Sequence, residues 1–408
     1  MADGITRIAV EGFKSIVKRQ EIEIAPLTIL AGANSSGKSS IMQPLLMLKQ
    51  TLDATYDPGP LKIDGPNVKF TSSQQFLSKK PGALSPRFLR LEVTTEKVGI
   101  NITFVKRETL EVLEETFIMP GKRIVLRPEM SQQDLRSALD YRRKDLDELS
   151  IVRDRFLLSI AGERDLLVSP IYQTPDIQGV IHVPGLRGNP LRTYQRAATG
   201  PSFPGTFEHY VASLILQWQS ADDRQYVLLN RDLAHVGLAG KVVAKKLNDV
   251  ELDLQVNRLA DPESEDLISV ADVGFGVSQT LPVLVALRTA DEGQVVYLEE
   301  PEIHLHPGAQ TKLADILAGA AKRGVRVVAE THSSLLLRAI QTLVAKGDLD
   351  PEFVRLHWFT RDADGTTKVG SAKPDANGAF GEWPEDFGDV ALDSEQQYLD
   401  AVEDRITP

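Results

Sequence analysis

Residues 32–39 read Gly32-Ala33-Asn34-Ser35-Ser36-Gly37-Lys38-Ser39, a full match to the phosphate-loop pattern G-x-x-x-x-G-K-[ST]. An apolar, β-rich run at 27–31 comes directly before it, and a helical pattern at 39–52 follows. The glycines let backbone N–H groups turn inward, and the helix N-terminus adds partial positive charge, so this order suits phosphate binding. The structural alternative is a glycine- and serine-rich surface turn. The flanking strand and helix favour the phosphate loop.

The polar residues of this loop have distinct expected roles. Lys38 would reach the β- and γ-phosphates of a nucleotide, and the hydroxyl of Ser39 would bind Mg²⁺. Further contacts to the nucleotide are expected along the loop and the first helical turn, from Gly32, Asn34, Ser35, Ser36, Gly37 and Ser40. The expected ligands are therefore a nucleoside triphosphate and Mg²⁺.

A pair of acids supplies the second half of the predicted site. The stretch 295–302 reads Val-Val-Tyr-Leu-Glu-Glu-Pro-Glu. Its apolar residues predict a buried strand that ends in Glu299 and Glu300, at the edge where open α/β sheets bind ligands. Glu299 is expected to hold Mg²⁺, directly or through water, and Glu300 to act as the general base on the attacking water. Alone, the motif would favour a solvated acidic turn; with the phosphate loop it predicts hydrolysis.

A histidine follows the next predicted strand. Residues 325–329 are apolar enough for a buried strand, and Glu330-Thr331-His332-Ser333 comes directly after them. One strand away from the acids, His332 could donate a hydrogen bond to the γ-phosphate or to the attacking water. The alternative is a structural or exposed histidine. The predicted catalytic residues are thus Lys38, Glu300 and His332.

Composition limits the function classes. The chain has 408 residues, 42% hydrophobic and 25% charged, which is ordinary for a soluble globular protein. The net charge of −11 does not predict nucleic-acid binding by the whole molecule, so such binding would need a local basic patch. The absence of cysteine excludes disulfides and thiolate metal sites. No apolar stretch approaches the about 20 residues of a membrane span, and the start lacks a signal peptide. A cytoplasmic protein without membrane contact is expected.

Four short stretches together resemble ABC-type ATPases of the RecF, SMC and OLD (overcoming lysogenization defect) class, which are often grouped as AAA family ATPases. These stretches are Gly12-Phe13-Lys14-Ser15, the phosphate loop, Val273-Gly-Phe-Gly-Val-Ser-Gln-Thr-Leu-Pro282, and Glu299-Glu-Pro-Glu-Ile-His-Leu-His-Pro307 with Thr331-His332-Ser333. The chain most resembles bacterial stand-alone members without a Toprim nuclease. The implied fold is an α/β P-loop NTPase fold of ABC-ATPase type, with a mixed central sheet, an antiparallel β-layer and a helical insert.

The resemblance implies a head-to-tail homodimer that holds two ATP molecules between its subunits, with higher oligomers left open. Each ATP would contact the phosphate loop of one subunit and the signature segment of the other. Further nucleotide contacts are implied for Lys14, Ser15, Gly274, Gly276 and Ser278. A glutamine loop is expected at Gln74 or Gln75, with Gln75 as an additional Mg²⁺ ligand. Two departures are Glu299, where an aspartate is usual, and a signature without the Leu-Ser-Gly-Gly order.

The sequence divides into four expected regions. The ATPase head comprises 1–130, with the phosphate loop and an antiparallel layer at 87–127, and 241–350, with the signature, the acid pair and His332. Between them lies a helical and loop insert, 131–240, which begins with a predicted charged helix over 131–156. Residues 351–408 are expected to form a C-terminal extension with a hairpin around Asp364-Gly365.

Three functions are compatible with such an ATPase. The first is a switch or scaffold for a separate effector, a nuclease or toxin, in bacterial anti-phage defence. The second is a DNA-repair ATPase of RecF or SMC type that binds DNA itself, and the third is a transporter motor, which the Gly12–Ser15 segment and the insert argue against. Direct DNA binding would need basic patches, for which two clusters qualify, against the alternatives of a solvated helix face and of loop-anchoring salt bridges. They are Arg142-Arg143-Lys144 with Arg153 and Arg155, and Arg187, Arg192 and Arg196.

Overall fold

The computed structural model describes residues 4–79, 88–138, 148–162, 166–168, 175–257 and 266–381, together with Asp400. The helices are α1 (Lys38–Leu52), α2 (Gln132–Ala138), α3 (Glu208–Ser220), α4 (Arg224–Val236), α5 (Phe275–Thr289), α6 (Pro307–Lys322) and α7 (Ser334–Ala345). The strands are β1 (Arg7–Glu11), β2 (Gln20–Glu23), β3 (Leu27–Gly32), β4 (Phe88–Thr94), β5 (Gly99–Lys106), β6 (Leu110–Met119), β7 (Lys122–Leu126), β8 (Ser150–Asp154), β9 (Leu157–Ala161), β10 (Leu166–Val168), β11 (Ile181–Val183), β12 (Tyr194–Gln195), β13 (Val242–Lys246), β14 (Glu251–Asn257), β15 (Leu267–Ser269), β16 (Val295–Glu299), β17 (Arg326–Glu330), β18 (Val354–Arg361) and β19 (Thr367–Ala372). In the described part of the chain, no helix has both the length and the hydrophobicity that a membrane crossing requires.

A six-stranded mixed sheet forms the centre of the fold, in the order β11-β16-β17-β3-β18-β19. Neighbouring strands pair in parallel except β19, which returns antiparallel to β18 as a hairpin. Side chains alternate between the two faces, so Ile29 and Leu298 enter the core beneath α3–α7, whereas Leu30 and Tyr297 enter the core beneath α1. Because both faces are covered, β3, β16 and β17 are apolar almost throughout.

The predicted antiparallel layer is confirmed. It is a six-stranded sheet in the order β2-β1-β4-β5-β6-β7, and every neighbouring pair is antiparallel. Ile8, Leu91 and Phe104 contribute to the same apolar core as α1. The layer therefore covers the face of the central sheet from which the phosphate loop enters its helix.

The helix predicted for 131–156 is wrong over its last part. α2 ends at Ala138, residues 139–147 lie outside the described part of the chain, and β8 then pairs antiparallel with β9. Leu149 and Phe156 are both buried. A separation of seven residues is compatible with two turns of a helix, but also with positions that flank a short strand such as β8. β-branched Ile151 and Val152 between them favour the strand.

The insert and the C-terminal region both add strands to the fold. β11, from the insert, forms one edge of the central sheet, and β12–β15 form a separate small sheet next to α3. The predicted hairpin around Asp364-Gly365 is confirmed as β18 and β19. β18 pairs with β3 along Val354–Phe359, on the side opposite β17. The phosphate-loop strand thus has one neighbour from the C-terminal region.

Candidate functional site

The phosphate loop connects β3 to α1 in a conformation that its glycines permit. Gly32 has φ 144° and Gly37 has φ 107°, values that L side chains rarely adopt. A Cβ on Gly32 would lie 2.3 Å from the backbone oxygen of Phe359, and a Cβ on Gly37 would lie 2.5 Å from Oγ1 of Thr367. Both glycines therefore serve the loop and the close approach of the β18–β19 hairpin behind it.

Lys38 folds back over the loop. Its Nζ donates hydrogen bonds to the carbonyl oxygens of Gly32, at 2.9 Å, and Ala33, at 3.0 Å. Burial lowers the pKa of Lys38, although the charges of Glu330 and Glu300 act in the opposite direction. Because both hydrogen-bond partners of the ammonium group within the described residues are neutral carbonyls, an anion in the loop would be a stronger partner for it.

The start of α1 is suited to an anion. Gly37, its N-cap, provides no side-chain cap, and the first turn contains no acidic residue, so the N–H groups of Lys38 and Ser39, which have no acceptor within the helix, suit a ligand. Asn34 and Ser35 lie exposed on the rim. The buried hydroxyl of Ser36 has no hydrogen-bond partner within the described residues, and the N–H of Ser40 bonds to the carbonyl of Gly37 at 3.0 Å. This donor set fits a phosphate group.

Glu299 lies at the end of β16, as predicted, and both of its carboxylate oxygens have partners. Nε2 of His182 lies 3.3 Å from Oε1, and the N–H of Gly185 donates to Oε2 at 3.0 Å. Burial opposes ionisation, but the hydrogen bond and charge of His182 and the bond from Gly185 together lower the pKa of Glu299. His182, on β11, is held in turn by Asn67 Oδ1, 3.2 Å from Nδ1. The role of His182 could not be predicted from the sequence, because a three-residue edge strand inside a loop-like segment gives little signal.

Glu330 is a further functional candidate, whose sequence signal is only that it ends a predicted strand. It lies opposite Glu299 in the β16–β17 register. Its Oε1 accepts a hydrogen bond from the hydroxyl of Ser39 at 2.9 Å, and its Oε2 accepts one from the hydroxyl of Tyr297 at 2.8 Å. Burial, the largest influence, and the charge of Glu299 raise the pKa of Glu330 to about 7. In the sequence, the signal for a role of Glu330 is its position at the end of the strand next to the acid pair, at the same edge of the sheet.

Glu300 and His332 meet at this edge. Oε1 of Glu300 lies 3.9 Å from Nε2 of His332. Burial and then the charge of Lys38 lower the pKa of His332, which favours the neutral imidazole. Glu302, behind them, accepts hydrogen bonds from the Thr331 hydroxyl and from the His332 N–H, the latter at 3.2 Å. The structure therefore brings the three predicted catalytic side chains into one region, with Glu302 fixing the backbone of His332.

Backbone strain is concentrated around this site. Four non-glycine residues in the motif segments have positive φ, namely Lys14, Ser35, Glu300 and His304. Each such conformation costs free energy and persists where the surroundings enforce it, which is common at functional sites. For Glu300 the enforcing contact is a hydrogen bond from its N–H to the carbonyl of Glu330, at 2.8 Å.

The signature segment opens α5, with Gly274 as its N-cap. A Cβ on Gly274 would meet nothing within 4 Å, whereas one on Gly276 would touch Leu238. Ser278 bonds to the carbonyl of Phe275 at 3.1 Å, and Phe275 is 49% exposed. Within the described residues no hydrogen bond or ion pair joins Gly274, Gly276 or Ser278 to the phosphate loop of the same chain.

Lys14 and Ser15 lie beside the phosphate loop. Nζ of Lys14 donates to Oε1 of Gln43, on α1, at 2.7 Å and lies 5.0 Å from the ring centre of Phe70. Oγ of Ser15 is hydrogen-bonded to Oγ1 of Thr367 at 2.8 Å. The Gly12–Ser15 segment is thus attached both to α1 and to the C-terminal hairpin.

Gln75 serves its own loop in this structure. Its Oε1 accepts a hydrogen bond from the N–H of Thr71 at 2.8 Å, whereas Gln74 is exposed. A contact between Gln75 and Mg²⁺ stays a prediction, and it would require this bond to be released.

Four of the five described arginines in the two basic clusters have side-chain partners within the chain, and the fifth, Arg196, is exposed. Arg153 bonds to Asp57, Arg155 to the carbonyls of Thr51 and Ala54, and Arg192 to both carboxylate oxygens of Asp272. Arg187 is partly buried and donates to the carbonyls of Gln279, Glu299 and Glu300. The Arg142-Arg143-Lys144 stretch lies outside the described residues. Loop-anchoring contacts, the alternative for the second cluster, therefore account for Arg187 and Arg192. Arg153 and Arg155 lie in and beside β8 and bond to residues 51–57, and they do not lie on the solvated helix face that was the alternative for the first cluster.

The oxygen donors at the site match what Mg²⁺ needs beside a nucleotide. Within the described residues no group of three or more His, Asp or Glu could hold a metal ion by itself. Mg²⁺ in nucleotide sites typically takes one or two protein ligands and completes its shell with phosphates and water. The Ser39 hydroxyl and the neighbouring glutamates fit that chemistry.

Comparison with known proteins gives one family match and several solved structures to which the chain is similar. Among solved structures, the chain is similar to an SmcHead bound to the C-winged helix domain of ScpA, with a TM-score of 0.48, 13% identity, and 91% of this chain and 98% of that chain covered. It is also similar to the SMC head domain from Thermotoga maritima, with a TM-score of 0.44, 12% identity, and 90% and 98% covered. No curated protein matches the sequence.

The family described as "AAA domain, putative AbiEii toxin, Type IV TA system" matches residues 27–338, from the first residue of β3 into α7. The matched range contains the phosphate loop, the signature segment, the acid pair and His332. Together with the architecture, the match confirms the predicted P-loop ATPase fold. Since it spans more than half of the sequence, the chain belongs to this AAA-domain family.

Proposed function

We propose that the chain binds ATP with Mg²⁺, hydrolyses it, and closes into a homodimer around two ATP molecules. The observation that carries the proposal is the meeting of Lys38, Glu300 and His332 at one edge of the central sheet. His332 lies 3.9 Å from Glu300, and both Glu300 and His332 are close enough to Lys38 for their charges to interact. The three residues come from three different segments, so the fold has assembled them.

Each residue has a chemical role in this proposal. Lys38 and the N–H groups of the loop would bind the β- and γ-phosphates. Ser39 and Glu299 would hold Mg²⁺, which when bound neutralises charge on the phosphate oxygens. Glu300 would take a proton from the attacking water, and neutral His332 would donate a hydrogen bond to that water or to the γ-phosphate.

The start of α5 supports the dimer. Its N-terminal N–H groups, the open space at Gly274 and the exposed ring of Phe275 are available to a second subunit. Because the signature segment makes no polar contact with the phosphate loop of its own chain in the described residues, we place it against the nucleotide of the partner subunit. This head-to-tail arrangement would complete each site only when ATP is bound.

A separate effector is the proposed output, and anti-phage defence the proposed setting. Three acids of the C-terminal region, Asp362, Asp364 and Asp375, make local contacts in and next to the hairpin. Asp364 accepts a hydrogen bond from the N–H of Thr366, Asp362 pairs with Lys368, and Asp375 accepts bonds from the N–H groups of Asn377 and Ala379. Because these acids are used in local contacts, we place the nuclease or toxin activity in another protein. The family description, which names a toxin and a TA system, is compatible with a partner of this kind.

The test of this function separates binding from hydrolysis. Glu300→Gln should bind ATP and accumulate as a dimer in size-exclusion chromatography with ATP, because binding contacts survive while water activation is lost. Lys38→Ala should neither bind ATP nor dimerise. Glu108→Gln, at an exposed turn, is the matched control and should hydrolyse ATP like the wild type. A Glu300→Gln protein that stays monomeric in saturating ATP would refute the dimer.

Direct DNA binding is the competing function. It predicts binding of purified protein to labelled DNA that weakens steeply with salt, since each phosphate contact releases counterions. Because four of the five described arginines in these clusters are engaged internally, we expect no such binding at near-physiological salt.

A further inference from the structure

Ser39, the proposed metal-binding serine, is hydrogen-bonded to the carboxylate of Glu330. Glu330 is the last residue of β17, the strand that precedes His332, and is not part of the Glu299–Glu300 pair. Ser39 Oγ donates to Glu330 Oε1 at 2.9 Å. Glu299 directs its two oxygens toward His182 and Gly185 instead. The contact between Ser39 and Glu330 follows from the strand order. Because β17 lies between β3 and β16, its last residue lies between the phosphate loop and the acid pair.

Glu330 is itself fixed in place. Its side chain is 6% exposed, and its second oxygen accepts a hydrogen bond from the hydroxyl of Tyr297, which is fully buried. Tyr297, Glu299 and Glu330 lie on the same face of the sheet as α1, because side chains alternate along a strand and the two glutamates are in register. A Tyr297–Glu330–Ser39 chain of hydrogen bonds therefore ends at the phosphate loop.

We propose that Glu330 is a positioning residue for Mg²⁺ that acts through Ser39, an inference that rests on the proposed function. A serine hydroxyl has one hydrogen and two acceptor lone pairs. With the hydrogen directed to Glu330, both lone pairs of Ser39 are free for a cation on the nucleotide side. Groups that orient a metal ligand in this way typically contribute 10- to 100-fold to metal affinity.

The experiment measures the Mg²⁺ requirement of nucleotide binding, independently of hydrolysis. Binding of a fluorescent ATP analogue is titrated at increasing MgCl₂ and, separately, in EDTA. Glu330→Ala should need about 10- to 100-fold more Mg²⁺ for half-maximal enhancement of binding, while its binding in EDTA is not weakened. Glu330→Gln, which keeps an acceptor for Ser39, should lose less. Glu115→Gln, at a buried glutamate of the antiparallel layer, is the control and should match the wild type.

A double-mutant cycle shows whether Glu330 acts through Ser39. In a Ser39→Ala background, Glu330→Ala should leave the Mg²⁺ requirement unchanged, because the hydroxyl that it orients is gone. A full additional loss in that background, or an unchanged Mg²⁺ requirement for Glu330→Ala alone, would overturn the proposal. If Glu330→Ala does not fold, the smaller change in Glu330→Gln decides in the same way.

Failure of the proposed function would look different. In that case the wild type itself would not bind the ATP analogue, with or without Mg²⁺, and Lys38→Ala would make no difference. Binding by the wild type that Mg²⁺ enhances, combined with a normal Mg²⁺ response in Glu330→Ala, would remove only the role of Glu330.

Discussion

The hydroxyl of Thr367 donates a hydrogen bond to the carbonyl oxygen of Ser36, 2.7 Å away, and so joins the C-terminal hairpin to the phosphate loop. Thr367 also bonds to Ser15 through its side chain, at 2.8 Å, and through its backbone N–H to the carbonyl of Ser15, at 2.8 Å. It is fully buried. The loop conformation that we propose to bind phosphate is therefore held from behind by a residue far along the chain.

Replacing this hydroxyl should weaken nucleotide binding. Thr367→Val keeps the volume but leaves the Ser36 carbonyl without its donor, and one such hydrogen bond contributes about 1 kcal/mol. We expect roughly five-fold weaker ATP binding by calorimetry, a loss that Thr367→Ser should largely restore. Equal affinity in the valine variant would show that the loop keeps its shape without this contact.

Arg187 should matter for hydrolysis more than for binding. It donates to the carbonyls of Glu299 and Glu300 at 2.6 and 3.2 Å and to the carbonyl of Gln279, on α5, at 3.0 Å. Lysine cannot reproduce this fork of donors, so Arg187→Lys should let the Glu300 turn shift. We expect at least a ten-fold lower hydrolysis rate with nearly unchanged ATP affinity, because the Lys38 loop is not touched. Parallel losses of affinity and rate would instead indicate a general loss of folding.

Strand positions near the motifs could be predicted from the sequence because the signals are local. The apolar run before Gly32, the acids after Leu298 and the histidine after Ala329 each mark a strand that ends at the same edge. Glu330, His182 and Thr367 could not be assigned in this way. Their roles depend on which strands become neighbours and in which register, and those pairings join segments that are distant in the chain.

Glu115 should make stability depend on pH. It is buried, with one oxygen bonded to the N–H of Leu158 at 2.6 Å and the other without a partner in the described residues. Burial raises the pKa of Glu115 well above its usual value. A raised pKa in the folded state favours folding below the unfolded pKa of about 4.3, and this stability is lost as pH rises through the folded pKa. Glu115→Gln should therefore melt a few degrees higher than the wild type at pH 8.

That difference should shrink as the pH falls toward the unfolded pKa of about 4.3, because the raised pKa of Glu115 lets the wild-type carboxyl become protonated in the folded state. Thermal melts of both proteins between pH 5 and pH 8 measure it. A constant difference across this range would mean that Glu115 does not titrate on unfolding.

The ion pair between Asp232 and Arg288 should contribute strongly to stability. Arg288, on α5, donates to both oxygens of Asp232, on α4, at 2.6 and 2.7 Å, and both side chains are nearly buried. Asp232→Ala leaves a buried guanidinium without its partner, which costs about 3–5 kcal/mol. Denaturant unfolding should show this loss. Asp315→Ala, which breaks the exposed pair with His235, should cost less than about 1 kcal/mol.

The position of β3 between β17 and β18 has a consequence for biosynthesis. β3, the strand before the phosphate loop, is translated well before both strands that flank it, 326–330 and 354–361. Until then an apolar strand has no partner on either side, and such segments are prone to aggregate. Under the proposed function, a nascent polypeptide would thus gain ATP affinity only once the β18–β19 hairpin has been made, and a product terminated before this hairpin would lack it.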